Sequence, residues 1–376
     1  MLTSSQFDSL VAPITELYNE YETSVIEDIA RRLKNLSIDS AAWQTQRLTE
    51  SGALYKDVLK KLSKLTGQSE AQIAETLKRA GVKAVQFDDQ IYKDAGLNPI
   101  PLNMSPAMVQ ALKATLEKTN GVMNNLTKTT AITSQQTFIR AADLAHQQVA
   151  TGAMSYDQAI RQAIKRVAAE GLNVVDYATG HTDKLDVATR RTVLTGVAQT
   201  ANQLQMTRAD EMDSDLVAVS AHAGARNEGT GPANHASWQG KIYSRSGKSK
   251  KYPDFVKTTG YGTGEGLGGW NCRHSFYPFF EGVSENAYTR AEVKELNRQK
   301  VTYREKQIDQ YTATQYQRHI ERQIRFWKRQ VAALQAAKLD TTKEQMKVAQ
   351  WQKTMRDFIV QTELDRQYVR EQVLHP

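Results

Sequence analysis

The sequence predicts a mainly α-helical protein with a small α+β module: a helical N-terminal half, a compact glycine-rich module and a C-terminal helical hairpin. Twelve of the 21 glycines lie between residues 224 and 282, which indicates irregular backbone there. After Gly282 the chain has no glycine, and after Pro278 it has no proline before Pro376, so no residue forces a helix to stop. In the flanking regions, apolar residues recur every three or four positions, as along one face of a helix.

These patterns divide the chain into three regions. Its 376 residues are more than one hydrophobic core usually serves. We expect a helical N-terminal region at 1–214, a glycine-rich α+β module at 215–283 and a basic amphipathic helical arm at 284–376.

The first apolar stripe predicts a helix with Pro13 in its first turn, a position that suits proline. The stripe consists of Ile14, Leu17, Tyr21, Val25, Ile29 and Leu33. Two further helices are predicted at 54–65 and 69–80. A capping box that begins at Ser69 marks the start of the second, and Gly81 marks its end.

Prolines interrupt the helical pattern at positions 99, 101 and 106. Three amphipathic segments follow, at 108–126, 133–150 and 156–170, and Gly171 closes the last of them. We expect the N-terminal helices to pack as a bundle against each other or against a neighbouring subunit.

The C-terminal arm has the clearest apolar periodicity in the chain. Its two stripes step by three and four residues, as coiled-coil core positions do, and they consist of Ile320, Ile324, Trp327, Val331 and Leu334, then Val348, Trp351, Met355, Phe358 and Thr362. Between them, residues 339–342 predict a turn, with Thr341 able to cap a new helix and Glu344 three residues further on. The arm should therefore form an antiparallel helical hairpin.

Most of the net positive charge lies on the same arm. The chain has a formal charge of +8, and residues 291–376 hold 17 Lys and Arg against 11 Asp and Glu. A solvated coiled-coil surface explains this charge. Contact with DNA or another polyanion explains it too, since phosphates attract lysine and arginine whatever the base sequence.

Composition excludes several classes of protein. A single cysteine, Cys272, permits neither an intrachain disulfide nor a zinc site built from several thiolates. No run approaches the ~18 apolar residues of a membrane helix, and the N-terminus is acidic where a signal peptide would be basic and then apolar. We therefore expect that the chain is made in the cytosol and does not associate with a membrane.

Side chains that bind metals are concentrated in the glycine-rich module. The candidates are His222, His235, Cys272 and His274. Cys272 and His274 could bind a metal from one turn, although the paired C-x-x-C or H-x-x-x-H spacing of structural zinc sites is missing. The alternative is that the histidines donate hydrogen bonds to loop carbonyls and the cysteine packs as a small apolar residue. We predict no metal and no cofactor.

An enzymatic interpretation uses the same side chains. His222 or His235 could act as a general base, and Cys272 beside His274 could act as a nucleophile. The cations that could hold a phosphate or an oxyanion are Arg226, Lys241 and Arg273. Adjacency in sequence does not establish a catalytic dyad, so we predict no catalytic residues.

The glycine series from 260 to 269 contains G-x-G-x-x-G, but no apolar strand precedes it and no helix signal follows, so we reject a dinucleotide loop. A basic run with interleaved tyrosines precedes the series. Its cations could bind phosphates while the tyrosines stack on bases. The alternative is a solvated hairpin tip around 246–248. The predicted nucleic-acid contacts are Arg245, Lys248, Lys250 and Lys251.

Other polar and aromatic side chains of the module are predicted to have structural or interaction roles. They are Arg226, Trp238, Gln239, Lys241, Trp270, Asn271, Arg273 and Pro278. Arg226 and Arg273 are expected to act as hydrogen-bonding hubs between loops, because one guanidinium can satisfy several carbonyls. Most of the buried area is expected from five aromatic residues: Trp238, Trp270, Phe276, Tyr277 and Phe279.

The module resembles the minor capsid protein 2 family of tailed phages, a branch of the Mu F-type head morphogenesis proteins. The resemblance rests on SAHAGAR from Ser220, HASWQGK from His235, YPDF from Tyr252, TGYGTG from Thr259 and GWNCRHSFYPF from Gly269, which occur in that order. Upstream, TRRTVLTGVAQT from Thr189 is similar to an arginine-bearing helix of the family.

The resemblance implies a structural protein made beside the portal and scaffold during head assembly. It would be carried at low copy inside the phage head and be delivered or rearranged with the DNA. Combined with the helical surfaces and the modest basic charge, this leads us to expect that the helices bind the portal or the inner capsid wall, and that the glycine-rich module and the basic arm meet double-stranded DNA or further protein. Two alternatives stay open for residues 217–282. One is an effector enzyme, such as a metal-free nuclease or an ADP-ribosyltransferase-like protein, and the other is a zinc-stabilised DNA-binding module.

Overall fold

The computed structural model describes residues 3–37, 39–175, 180 and 182–373, and 68% of the chain is helical. The predicted class, mainly α with a small α+β part, is confirmed. The helices are α1 Ser4–Lys34, α2 Ser40–Asp94, α3 Pro106–Ala150, α4 Tyr156–Glu170, α5 Leu185–Glu211, α6 His235–Trp238, α7 Phe255–Thr259, α8 Arg290–Arg298, α9 Gln310–Ala336 and α10 Thr342–Thr362. The strands are β1 Asn173–Val175, β2 Thr182–Lys184, β3 Leu216–Val219, β4 Ile242–Ser244, β5 Phe276–Pro278, β6 Lys300–Tyr303 and β7 Lys306–Asp309.

The chain divides into two compact units, each assembled from three separate segments. The first comprises Met1–Pro13, Glu70–Gly121 and Arg190–Gln315, and the second comprises Ile14–Ser69, Val122–Thr189 and Tyr316–Pro376. The division into three consecutive regions made from the sequence remains a prediction. None of the described helices is both long enough and apolar enough to cross a bilayer.

The first unit is organised around a three-stranded antiparallel sheet with β3 at its centre. Val217 on β3 pairs with Tyr243 on β4, and Ala218 pairs with Tyr277 on β5. Successive residues of a strand point to opposite faces. Val217 therefore joins a core with Trp238, Tyr243 and Phe276, whereas Ala218 packs with Tyr277 and Phe279. Both faces of the sheet are buried.

Among its described residues, the second unit consists of helices and the antiparallel pair of strands β1 and β2. The predicted stripe on α1 is buried at Ile14, Tyr21, Val25, Ile29 and Leu33. A buried carboxylate, that of Glu22, also enters this interior and finds partners there. Glu22 accepts a hydrogen bond from the backbone N–H of Leu172 at 2.9 Å and lies 3.4 Å from the Arg329 guanidinium. Such pairing is what permits a carboxylate to be buried.

Several predicted helix boundaries in the N-terminal region are wrong. Pro13 lies inside α1, which begins at Ser4, and the buried side chains of Phe7 and Val11 favour the extra helical turns. The segments 54–65 and 69–80 belong to the continuous helix α2.

The predicted capping box does not form, because the Ser69 hydroxyl donates instead to Thr66 O at 3.1 Å within the helix. Gly81 does not end that helix, which continues to Asp94. The missing side chain leaves room for Leu204, because an added Cβ would lie 2.4 Å from Leu204 Cδ1.

The segments 108–126 and 133–150 are also one helix, α3. Between them, hydroxyl groups bond back to the preceding turn, for example Thr130 Oγ1 to Leu126 O at 3.3 Å. These threonines therefore remain within the helix. In contrast, α4 has the predicted bounds, with Gly171 at φ +67° at its C-cap.

The C-terminal arm contains a β-hairpin that the sequence did not predict. Strands β6 and β7 pair from Lys300–Asp309 to Tyr303–Lys306, and Arg304 and Glu305 at the tip have φ of 49° and 63°. Non-glycine residues can adopt this conformation in a tight turn, so the absence of glycine did not force a helix.

The helices α9 and α10 and the turn before Thr341 are confirmed. Thr341 is the N-cap residue but makes no capping hydrogen bond. Glu344, the expected partner in the cap, is buried and instead binds Arg161 at 2.8 Å and Lys165 at 2.7 Å.

Candidate functional site

Three of the four candidate metal ligands come together beside the sheet of the first unit. His235 begins α6, and Cys272 and His274 precede β5. One ligand atom from each of these three side chains lies within 4.8 Å of the others, and all three residues are buried. The fourth candidate, His222, follows β3, and its ring centroid is 4.4 Å from that of His274. We call these four residues the His-Cys cluster.

Gln239, at the end of α6, organises the His-Cys cluster. Its Oε1 lies 3.0 Å from His274 Nε2 and accepts a hydrogen bond from the backbone N–H of His222 at 3.0 Å. Its Nε2 donates to Asn297 Oδ1 at 2.7 Å. Two further contacts are to the backbone: His235 Nε2 lies 2.8 Å from Glu265 O, and His222 Nδ1 lies 2.9 Å from Ala223 O. Within the cluster, Cys272 Sγ lies 3.7 Å from His274 Nδ1.

Aromatic packing closes the cluster on its inner side. The Trp238 ring is 4.6 Å from His235 and 4.8 Å from His274, measured between centroids. Its indole Nε1 donates to Pro232 O at 3.0 Å, so the only polar atom of this buried side chain is satisfied.

Burial sets the protonation state of these groups. Desolvation lowers the pKa of His235 to about 4 and lowers the pKa of His274 well below its ordinary value. Burial also raises the pKa of the Cys272 thiol. The imidazoles are therefore neutral at neutral pH, and the thiol is protonated. A protonated, buried thiol is a poor nucleophile.

The two arginines predicted to be hubs make different contacts. Arg226 donates to Trp270 O at 3.1 Å, a link between two loops. Arg273 instead forms an ion pair with Asp8 of α1 at 3.1 Å, and Arg190 of α5 binds the same carboxylate at 2.7 Å. No sequence pattern indicated this carboxylate, which lies 265 residues away from Arg273.

The glycine-rich loop folds against itself, and at Gly266 and Gly269 the backbone of the loop occupies the space that a side chain would need. A Cβ added to Gly266 would lie 2.2 Å from Gly260 O, and one added to Gly269 would lie 2.3 Å from Gly264 O. The loop is closed by backbone hydrogen bonds, such as Leu267 N–H to Thr259 O at 2.9 Å. These glycines serve close backbone packing.

The prediction that Trp270 contributes to the buried core is wrong. Trp270 is 56% exposed, because the ring lies over Gly264 on the surface of the loop, whereas Trp238, Phe276, Tyr277 and Phe279 are buried as expected. The next residue, Asn271, has φ of 57°, and Pro278 is paired with Val217 in the sheet.

Of the four predicted nucleic-acid contacts, two are paired with carboxylates and two are exposed. Arg245 binds Asp210 and donates to Ser214 O at 2.5 Å, and Lys251 pairs with Glu281. Lys248 and Lys250 are exposed. Lys241, expected to have a structural role, donates from Nζ to Ser237 O at 2.7 Å.

A groove that sequence reasoning missed is lined by Lys241 and Lys251 together with three cations that the sequence did not single out. We call it the basic groove; its volume is about 870 Å³, and every charged residue that lines it is basic: Lys241, Lys251, Arg290, Lys294 and Arg298. The last three are exposed on α8, and none of them pairs with a described carboxylate. Their spacing of four residues, which places them on one helical face, was the available signal.

Comparisons with known proteins identify the relatives of the chain. The sequence is 28% identical over 373 residues to a structural protein of Lactococcus phage LL-H, and the match covers 92% of this chain and 93% of the relative. It is also 34% identical over 128 residues to a structural protein of Lactococcus phage mv4, which covers 33% of this chain and 93% of that relative. No solved structure matches the chain.

The family match covers both compact units. The family described as Phage minor capsid protein 2 matches residues 2–360, which include the sheet, the His-Cys cluster and the helices α1 to α9. The resemblance found in the motifs is thereby confirmed. Because the match covers nearly the whole chain, this protein belongs to the phage minor capsid protein 2 family.

Proposed function

We propose that this protein is a structural component of a phage head, assembled in the host cytoplasm and carried at low copy inside the virion. Its family and two relatives named as structural proteins support this role. In this proposal the helices contact the portal or the inner capsid wall. The burial of His235, Cys272 and His274 also favours a structural over an enzymatic role, because a substrate would need access to those groups.

We further propose that the basic groove contacts packaged double-stranded DNA. The observation that carries this proposal is the row of Arg290, Lys294 and Arg298 on α8, three exposed cations that pair with no described carboxylate in a groove lined by no acidic residue. Four residues of α-helix rise about 6 Å, so the three cations form a line along one face. Phosphate contacts of this kind need no base sequence.

A salt titration tests the DNA contact. Replacing Arg290, Lys294 and Arg298 together by Gln should weaken binding of the full chain to duplex DNA. The slope of log K against log salt concentration should become shallower by roughly 0.9 for each phosphate that the variant no longer neutralises. The matched control replaces Arg322, Lys347 and Arg356 by Gln, three exposed cations on α9 and α10 that change the net charge equally. Equal weakening by both triple variants would show that only net charge matters.

Analysis of phage particles tests the structural role itself. Quantitative mass spectrometry of purified procapsids and mature heads should find the chain at low copy, and cross-linking should join it to portal or capsid subunits. Its absence from both kinds of particle would contradict the proposal. Replacing His222, His235 and Arg273 by alanine tests the alternative of an effector enzyme. If the variant lost a nuclease or transferase activity but kept its thermal stability, an effector enzyme would be favoured instead.

A further inference from the structure

We propose that His235, Cys272 and His274 form a binding site for one divalent cation of the zinc type. Their ligand atoms lie within 4.8 Å of one another, and the three residues are buried. A thiolate sulfur combined with imidazole nitrogens is the ligand set that zinc prefers. A small inward movement would bring these atoms to the ~3.5 Å separation that ligand–metal distances of about 2.0–2.3 Å require in a tetrahedral site.

The hydrogen bonds of Gln239 determine which nitrogen of His274 can bind a metal. The backbone N–H of His222 can only donate, so the Gln239 atom that receives it is the carbonyl oxygen Oε1. His274 Nε2 must then carry the hydrogen in its contact with the same oxygen at 3.0 Å. Its Nδ1 therefore carries the lone pair, which faces Cys272 Sγ at 3.7 Å and would be available to a metal once the thiol has lost its proton.

The same reasoning applies to His235. Its Nε2 lies 2.8 Å from Glu265 O, and a carbonyl oxygen can only accept, so Nε2 carries the hydrogen and Nδ1 has the lone pair. Each of the two imidazoles thus donates one ring N–H to an oxygen while the other nitrogen is unprotonated. Metal-ligating histidines are held in this way, because the donated hydrogen bond fixes the tautomer and the ring orientation.

His222 provides a separate observation. Its Nδ1 donates to Ala223 O, so its Nε2 holds a lone pair, yet that atom is buried and has no hydrogen-bond partner in the described part of the chain. Buried acceptors without a partner are rare in folded proteins. A water molecule in the fourth coordination position of the metal would donate a hydrogen bond to such a nitrogen, as three-ligand zinc sites allow.

Metal binding would have a structural consequence for the module. The thiol of Cys272 would lose its proton to solvent as the Sγ–metal bond forms. The cation would then join α6 to the segment before β5, two parts of the loop-rich module that are 37 residues apart between His235 and Cys272. This inference does not depend on the proposed role in the phage head.

Cobalt substitution tests the site in the purified full chain. After removal of metals with a chelator, one equivalent of Co²⁺ should produce the visible bands of a tetrahedral complex and a near-ultraviolet sulfur-to-cobalt charge-transfer band. One equivalent of Zn²⁺ should displace the Co²⁺. The variant Cys272→Ser should lose the charge-transfer band, and both it and His274→Ala should bind at least about 100-fold more weakly. His319→Ala, which removes an exposed histidine on α9, should leave binding unchanged.

A second pair of variants guards against misfolding of the ligand variants. Gln239→Glu keeps an acceptor for His274 Nε2, whereas Gln239→Leu removes it, so Leu should weaken metal affinity roughly 10–100-fold more than Glu. Elemental analysis of the untreated protein gives an independent measurement. The proposal is wrong if the folded wild-type chain produces no charge-transfer band with Co²⁺, or if Cys272→Ser binds Co²⁺ as tightly as wild type does.

Discussion

Asp88 on α2 is a fully buried carboxyl group, and it makes stability depend on pH. Gln205 Nε2 donates to its two oxygens at 3.1 and 3.3 Å, but burial still raises its pKa well above the ordinary value. Between the ordinary pKa and this raised pKa, the Asp88 carboxyl group is therefore protonated in the folded chain and ionised in the unfolded chain. Stability from this group is greatest at low pH, and it declines as pH rises from about 4, the pKa of an unfolded Asp, through the raised pKa.

We predict that Asp88→Asn stabilises the protein at neutral pH, because the uncharged amide spares the folded chain the cost of burying or protonating a carboxylate and retains an acceptor for Gln205. The free energy of unfolding should rise by roughly 1–3 kcal/mol, and it should vary less with pH above about pH 4. Urea denaturation across a range of pH measures both effects. The control is Asp94→Asn, which changes an exposed carboxyl group on the same helix. An unchanged pH dependence in Asp88→Asn would contradict the prediction.

Arg208 on α5 shows how a buried charge is held in the first unit. Its side chain is 0% exposed, and it binds Asp89 at 2.8 Å, Glu211 at 2.7 Å and Ile100 O at 2.5 Å. Removing one member of such a group leaves the others buried without partners. The network therefore links α2, α5 and the segment before α3 in a specific arrangement.

Two glycines of α2 differ in the space around them, so replacing each by alanine distinguishes the effect of helix propensity from the effect of packing. An added Cβ at Gly67 would meet no atom within 4 Å, whereas at Gly81 it would lie 2.4 Å from Leu204 Cδ1. Leu204 is buried in a core with Val85 and Met108, so its side chain has little room to move away.

We predict opposite effects for the two alanine substitutions. Gly67→Ala should stabilise the protein by about 0.5–1 kcal/mol, since alanine has the higher helix propensity. Gly81→Ala should destabilise it, because overpacking of a core costs about 1–3 kcal/mol and exceeds that gain. Thermal denaturation of both variants measures the difference. Similar changes in melting temperature would show that Leu204 accommodates the added methyl group.

The first compact unit is assembled from segments that are far apart in the sequence. Met206 of α5 packs against the core that contains Trp238, and Gln205 donates to Phe276 O. Beyond the module, Asn297 accepts the hydrogen bond of Gln239. The residues that complete the glycine-rich module therefore lie on both sides of it in the chain.

We predict that a fragment of residues 215–283 does not fold alone, because its sheet and loops would lack these contacts. Its near-ultraviolet circular dichroism should lack the aromatic signal that the full chain shows, and its amide NMR signals should be poorly dispersed. A cooperative unfolding transition of the isolated fragment would overturn this prediction and would support an autonomous domain at these positions.

The amino-acid sequence by itself determined the helical class, the buried face of α1 and the bounds of α4, because each depends on spacing or caps within a few residues. It also determined the family, through motifs that occur in order. The same motifs indicated which histidines and which cysteine to consider, but not which of them lie within bonding range of each other.

Tertiary structure alone decided the position, exposure and contacts of residues whose local sequence signals were ambiguous. Gly81 lies inside a helix and leaves room for Leu204, Trp270 is exposed, and α8 supplies three of the cations of the basic groove. In the His-Cys cluster, the partners of His235 and His274 come from distant loops and helices. The physical reason is the same in each case: a local pattern encodes backbone preference and the face to be buried, whereas distances between remote side chains depend on how all the segments pack.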